Sequence, residues 1–318
     1  MQREEFFAPE KVNIDNINAL SIEQSINFEK RICEIAEISD GAVAVAQRLL
    51  EDGFGIYEIL GFISDSVRFS SSEGHGFAMP ESFFKINKYL DALSSYDKTV
   101  FADVFTKKLT SIGVRVSESD FLTEAIGEES VVYVKNRLAD EAYDVFADGL
   151  RDPTVSYVEN LRDAAAAVAD GKKEYCILPL EEKGGARLAS IAAILFSYDL
   201  KIASVTPVFG FDGSADVKYA LVSRHFNIPT VAPDDDRYLE IRLPQDSALS
   251  LAELFSAADM LGSSVYRINT VRFDSEEGEN TYYTVVFKDE GTDFSALLVF
   301  LTLFAGAYTA VGIYKNLE

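Results

Sequence analysis

Residues 175–191, YCILPLEEKGGARLASI, put two adjacent carboxylates and an ammonium, Glu181, Glu182 and Lys183, just past an apolar run. The end of a buried strand running into such a loop is placed to grip a substrate, yet these polar residues look wrong for chemistry, with Glu181 and Glu182 the only acids nearby. The other chemistry-bearing types are scattered. His75 in SEGHGF and His225 in SRHFN lack a Cys or His partner at metal-ligand spacing. The Asp run of VAPDDDR (231–237) has no His, Cys or spaced carboxylate partner, so it reads as a solvated turn. No Ser sits in a Gly-x-Ser-x-Gly elbow. FGFDGSAD (209–216) follows neither phosphate-loop nor dinucleotide spacing and reads as a tight turn. No cofactor and no metal site is expected.

The elements that must position these residues follow from periodicity. Residues 1–128 read as mostly helical. SIEQ at 21–24 has the form of a capping box that opens a helix, and DGAVAVAQRLLEDG starts a second at Asp40. FGIYEILGFISDSV follows, then Pro80 in a first helical turn and YDKTVFADVFTKKLTSIG ending at Gly113. VRVSESDF reads as a short strand. From about residue 130 the strands VVYV, TVSYV and YCILPL alternate with helices, the second of them capped by Asn160 and closed by Gly171. Short connections between alternating elements imply a parallel sheet of βαβ units, with ligands bound at the carboxyl ends of its strands, where PLEEKGG falls. After the VAPDDDR linker the order is strand, helix, strand, strand, helix, strand, a ferredoxin-like arrangement.

The totals narrow the function classes. The chain has 318 residues, enough for two or three domains, with 29 basic against 52 acidic residues and a net charge of −23. That balance repels phosphate backbones and anionic membranes, so nucleic acid is excluded as a partner. Cys33 and Cys176 lie among aliphatic residues without CxxC spacing and are expected to be buried, reduced thiols. MQREEFFAPEK carries no basic segment followed by an apolar run, so no secretory signal is expected and the protein is assigned to the cytoplasm. The stretch 294–314 has no charged residue, but its pattern turns from helical to strand-like after Phe304. It is expected to be a buried helix and strand, not a membrane span.

The region from about 130 to 318, with AAAAVADGKKEYCILPLEE followed by the βαββαβ tail, resembles prephenate dehydratase with its C-terminal ACT domain. The resemblance implies a periplasmic-binding-protein-like catalytic domain that strips water and carbon dioxide from prephenate to give phenylpyruvate. It also implies an ACT domain that binds phenylalanine, usually at a dimer interface. The predicted architecture is accordingly multi-domain: a mostly α region of unassigned role (1–128), one lobe of the α/β dehydratase fold with its parallel sheet (129–230), and an α+β ferredoxin-like ACT domain (236–318).

The family's working motifs depart one after another. YVKNRLADEAYDVF lacks the glycine of the family's first loop. The Pro-Ile-Glu-Asn-Ser/Thr turn becomes Pro179-Leu180-Glu181-Glu182-Lys183, with a carboxylate and an ammonium in place of an amide and a hydroxyl. Thr-Arg-Phe lines up with Val217-Lys218-Tyr219, and valine has no proton to give. Lys218 keeps the charge of the arginine but not its planar fork. Only 37 residues separate Pro179 from Val217, too few for a second α/β lobe and its water-excluding cleft. In the ACT half, Gly-Ala-Leu reads Ser247-Ala248-Leu249, and Glu-Ser-Arg-Pro reads Asn269-Thr270-Val271-Arg272, with Asn269 expected to be a satisfied surface residue.

The resulting expectation is a degenerate, non-catalytic dehydratase-like protein that senses a small amino acid or aromatic metabolite and dimerises through the ACT domain. Its ligand-binding candidates are Glu181, Lys183, Ser247, Ala248, Leu249 and Asn269. Two alternatives stand beside it: an active prephenate dehydratase, with Glu181 and Glu182 as the only acids in reach, and a structural partner-binding protein.

Overall fold

A computed structural model describes residues 14–64, 81–122, 129–182, 186–209, 215–229, 236–275, 278–291 and 293–317. Its first part is helical: α1 (Ile14–Glu51), α2 (Ile56–Ser64), α3 (Glu81–Asp91) and α4 (Ser95–Ser111). Ser94 caps α4 by accepting from the Asp97 amide at 3.3 Å. The two helices expected to begin at Ser21 and Asp40 are one continuous α1. The buried stripe Ile35, Ala42, Val43, Ala46 and Leu49 runs straight through Asp40-Gly41 at helical spacing. Packing of that stripe outweighs the roughly 1 kcal/mol that a mid-helix glycine costs. The expected strand at 114–121 is instead a single 3₁₀ turn, Glu118–Asp120. The Ser117 amide donates to Asp120 at 2.7 Å, and Glu118 turns inward, where it accepts from the Phe294 amide at 2.9 Å and pairs with Arg237.

The first sheet has the order β2-β1-β3-β5-β4. Its strands are β1 (Ser130–Val134), β2 (Thr154–Val158), β3 (Tyr175–Glu181), β4 (Lys201–Phe209) and β5 (Ala215–Ser223). β1, β2 and β3 are parallel as expected, but β5 runs antiparallel to both of its neighbours, so the sheet is mixed. The connection 210–214 is too short for a crossover, and β4 and β5 pair as a hairpin. Alternation along the strands serves two faces. Val131, Tyr133 and Ile177 meet α5 (Arg137–Ala147), while Val132, Cys176 and Leu178 meet α6 (Leu161–Ala169) and α7 (Ala189–Ser197). Asn136 and Asn160 cap α5 and α6.

The second sheet is antiparallel with the order β7-β8-β6-β9. Its strands are β6 (Arg237–Pro244), β7 (Ser263–Ser275), β8 (Gly278–Asp289) and β9 (Thr309–Lys315). α8 (Leu251–Met260) joins β6 to β7, and α9 (Ser295–Phe304) joins β8 to β9. The uncharged stretch 294–314 is thus a buried helix followed by a strand. No helix among the described residues is long and apolar enough to cross a membrane. α9 is buried on nearly all sides because the sheet lies beneath it and α2 and α4 lie above, in one core that runs from Ile35 to Ile313. The opposite face of the sheet meets the first sheet through Tyr238, Val286 and Tyr314. Edge strands β4 and β9 also touch: the Leu317 amide donates to the Val205 carbonyl at 2.7 Å, and the Thr206 hydroxyl to the Leu317 carbonyl at 3.1 Å.

Candidate functional site

β3 carries its carboxylate to the seam between the two sheets. A bulge between Pro179 and Glu181 turns the strand end, and Glu181 pairs across the sheet with Lys218 of β5. The Glu181 side chain is buried, with its Oε2 3.9 Å from the Lys218 ammonium and its Oε1 accepting from Arg267 of β7. The chain then folds back: the Glu182 amide donates to the Ala186 carbonyl at 2.9 Å and the Leu188 amide to the Leu180 carbonyl at 3.2 Å. That return places Arg187 opposite Glu181. The Arg187 side chain is only 3% exposed and donates Nη2 to Glu240 of β6. Glu240 accepts in addition from the Tyr314 hydroxyl at 3.0 Å.

Arg242, two residues along β6 and on the same face, lies over the Phe196 ring at 5.3 Å. Its neighbours on that face follow from register. Arg242 pairs with Thr284, which pairs with Asn269, while Val271 beyond Asn269 packs against Ala192 of α7. The seam is therefore a buried polar layer between two apolar cores. Burial and the Glu240 carboxylate push the Tyr314 phenol well above its ordinary range. Burial draws the Arg242 pKa down, Arg187 adds to that, and Glu240 and Asp199 oppose it. For Arg187 burial also acts downward, but Glu240, Tyr314 and Glu181 together lift the pKa above its usual value.

Hydrogen bonding in this layer is incomplete. Glu181 Oε2, Arg187 Nε and Nη1, and Asn269 Nδ2 are buried with no hydrogen-bond partner among the described residues. Each is the kind of group whose desolvation costs free energy unless something meets it.

The sequence candidates are divided by this geometry. Glu181, Lys218 and Asn269 share the seam. Asn269 is half-buried with an orphaned amide nitrogen, not the satisfied surface residue expected, because α7 and the first sheet cover its face. Glu182 is exposed, and Lys183 lies outside the described residues. Val217 is half-buried and packs against the core around Tyr133. Ser247 belongs to the helix side of the second sheet. Its hydroxyl donates to the Ala305 carbonyl at 3.2 Å and accepts from the Leu249 amide at 3.3 Å. Ala248 is exposed and Leu249 is buried in the core beneath α9. Ser247 and Asn269 therefore do not converge within one chain.

Arg187, Glu240, Arg242 and Arg267 escaped the sequence reading. Glu240 and Arg242 alternate with Leu239, Ile241 and Leu243, a pattern that marks two faces of a strand without saying what covers the charged one. Among the other candidates, Cys176 is buried, which pushes its thiol pKa up, but Cys33 is exposed, contrary to expectation. It falls on the solvent side of α1, two residues before the buried Ile35. His225 lies in no cluster of metal-ligating groups among the described residues, and His75 lies outside them, as do residues 230–235.

No family model matches the sequence, and no curated protein matches it. Among solved structures, the chain is similar to a prephenate dehydratase from Streptococcus mutans at 14% identity, covering 59% of this chain and 99% of that one, with a TM-score of 0.47. A protein described as GqqA, a novel type of quorum quenching acylase, matches at 18% identity over 59% of this chain and 96% of that one, with a TM-score of 0.44. The prephenate dehydratase from Arthrobacter aurescens in complex with L-Phe matches at 15% identity over 58% of this chain and 89% of that one, with a TM-score of 0.45.

Proposed function

We propose that this chain is a non-catalytic regulator built on a degenerate prephenate dehydratase-like α/β domain (129–230) and an ACT-like domain (236–318), and that it binds a small amino acid or aromatic metabolite. The observation that carries the reading is the state of Glu181. It is buried and already paired with Arg267 and Lys218, so it does not stand free to serve as an acid. The direct β4–β5 hairpin supports it further, since it leaves no room for a second lobe between the Pro-Leu-Glu turn and Val217. The strand–helix–strand–strand–helix–strand order and the β7-β8-β6-β9 pairing agree with a ferredoxin-like ACT fold. The helices α1 to α4 serve as a cover that receives the signal through α8 and α9. Pairing of two copies uses edge strand β7, which carries the exposed side chains Tyr266 and Ile268. The protein works in the cytoplasm.

The test is thermal unfolding against phenylalanine, tyrosine, tryptophan, prephenate and phenylpyruvate, with phenylpyruvate formation assayed in parallel and mass measured by light scattering. Ligand at about 100 times its dissociation constant adds roughly 2.7 kcal/mol. A rise with an amino acid and no turnover is the expected result. Turnover of prephenate overturns the non-catalytic reading in favour of a dehydratase. No response to any of the five leaves a structural partner-binding protein.

A further inference from the structure

The seam holds more cations than carboxylates: Arg187, Lys218, Arg242 and Arg267 face Glu181 and Glu240. In a chain of net charge −23 this excess is no overflow from a basic surface. The two carboxylates are each already shared, Glu181 between Arg267 and Lys218, Glu240 between Arg187 and the Tyr314 hydroxyl. Arg242 is buried, with no carboxylate among the described residues at ion-pair distance. Burial, with Arg187 adding to it, draws its pKa down, and Glu240 and Asp199 only partly oppose that. Three of the four orphaned atoms in the layer are donors, Arg187 Nε and Nη1 and Asn269 Nδ2. Water can satisfy a donor but cannot neutralise a charge taken out of solvent. An anion does both.

We propose that the seam is an anion site in which Arg187, Arg242 and Asn269 receive the carboxylate of a small organic acid. The site rests on the regulator reading and names the group by which its ligand is held. Glu240 shows the chemistry the layer already accommodates: a carboxylate between a guanidinium and one further donor. An incoming carboxylate repeats that arrangement at Arg242, which has no carboxylate at ion-pair distance among the described residues. Because the site joins the return after β3 to β6 and β7, occupation tightens the contact between the two sheets.

The experiment is isothermal titration of the full chain with sodium acetate and sodium succinate, against sodium chloride at matched ionic strength, with thermal unfolding alongside. The expected result is saturable binding of a carboxylate, a raised unfolding midpoint, and no equivalent response to chloride. Arg242→Met removes a cation that has no carboxylate at ion-pair distance among the described residues, so the variant is expected to fold and to bind at least tenfold more weakly. Arg242→Lys keeps the charge without the fork and guards against a folding defect, with intermediate affinity expected. Equal responses to chloride and carboxylate, or unchanged affinity in both variants, overturn the site. Phenylalanine binding that is undiminished in Arg242→Met overturns the seam and leaves the regulator reading intact. Carboxylate binding lost in that variant, with no response to the amino acids, supports the seam and removes the regulator reading.

Discussion

Glu240 keeps its charge inside the protein because Arg187 and the Tyr314 hydroxyl share it. Both ionic side chains are 3% exposed, so removing one partner strands the other in a medium that solvates it poorly. Arg187→Met is expected to cost about 3–5 kcal/mol in urea unfolding. Arg187→Met/Glu240→Gln is expected to recover much of that, since a neutral amide still accepts from Tyr314. A second residue ties two regions by a different device. Glu253 accepts from Ser95 of α4 as well as from the Ser250 hydroxyl at 2.7 Å and the Ser250 amide at 2.9 Å. Those donors, Ser95 first, hold its pKa down at about 2. A depressed carboxylate contributes stability above its unfolded pKa of about 4.3, and the contribution is lost as pH falls toward 2. Glu253→Gln should therefore be about 1 kcal/mol less stable at pH 7 and converge with the parent near pH 2, which a pH series of thermal melts reads directly.

Strand β9 depends on a glycine. A Cβ built on Gly312 lies 2.3 Å from the Ile202 carbonyl oxygen of β4, so the two edge strands approach only because position 312 has no side chain. The clash is with backbone and has no flexible group to yield. Gly312→Ala is expected to force the edges apart and cost about 1–3 kcal/mol in denaturant unfolding. An unchanged midpoint contradicts the close edge contact. Helix α9 makes the complementary point. Its sequence is apolar on every side because both the sheet and the helical cover lie against it.

At the scale of the molecule, the helical region and the antiparallel sheet are one cooperative body. Their shared core includes Ile35, Phe101 and Phe105 from the helices and Leu254, Phe300 and Ile313 from the sheet side. Neither half can unfold without exposing the apolar face of the other. Calorimetry of the full chain is expected to show a single transition for these two parts, and a separate low-temperature melt of the helices contradicts it. The net charge of −23 opposes compaction, so raising sodium chloride from about 0.02 to about 0.2 M should raise the midpoint by screening self-repulsion.

Much of this fold was legible from residues 130 to 317, where period-two and period-3.6 patterns fixed the kind and order of the elements. The caps at Asn136, Asn160 and Ser250 are local chemistry, and the chain segment that carries each cap also carries its partner. What stayed hidden depended on neighbours far away in sequence. α1 runs through Asp40-Gly41 because α4 buries its stripe, and Glu118 turns inward because Arg237 waits there. The seam is the clearest case. Leu239, Glu240, Ile241 and Arg242 announce a strand with one apolar and one charged face, and charged faces ordinarily meet water. Only the packing of the first sheet and α7 against that face turns its charges into a buried layer, because a strand's own sequence specifies its two sides but not what covers them.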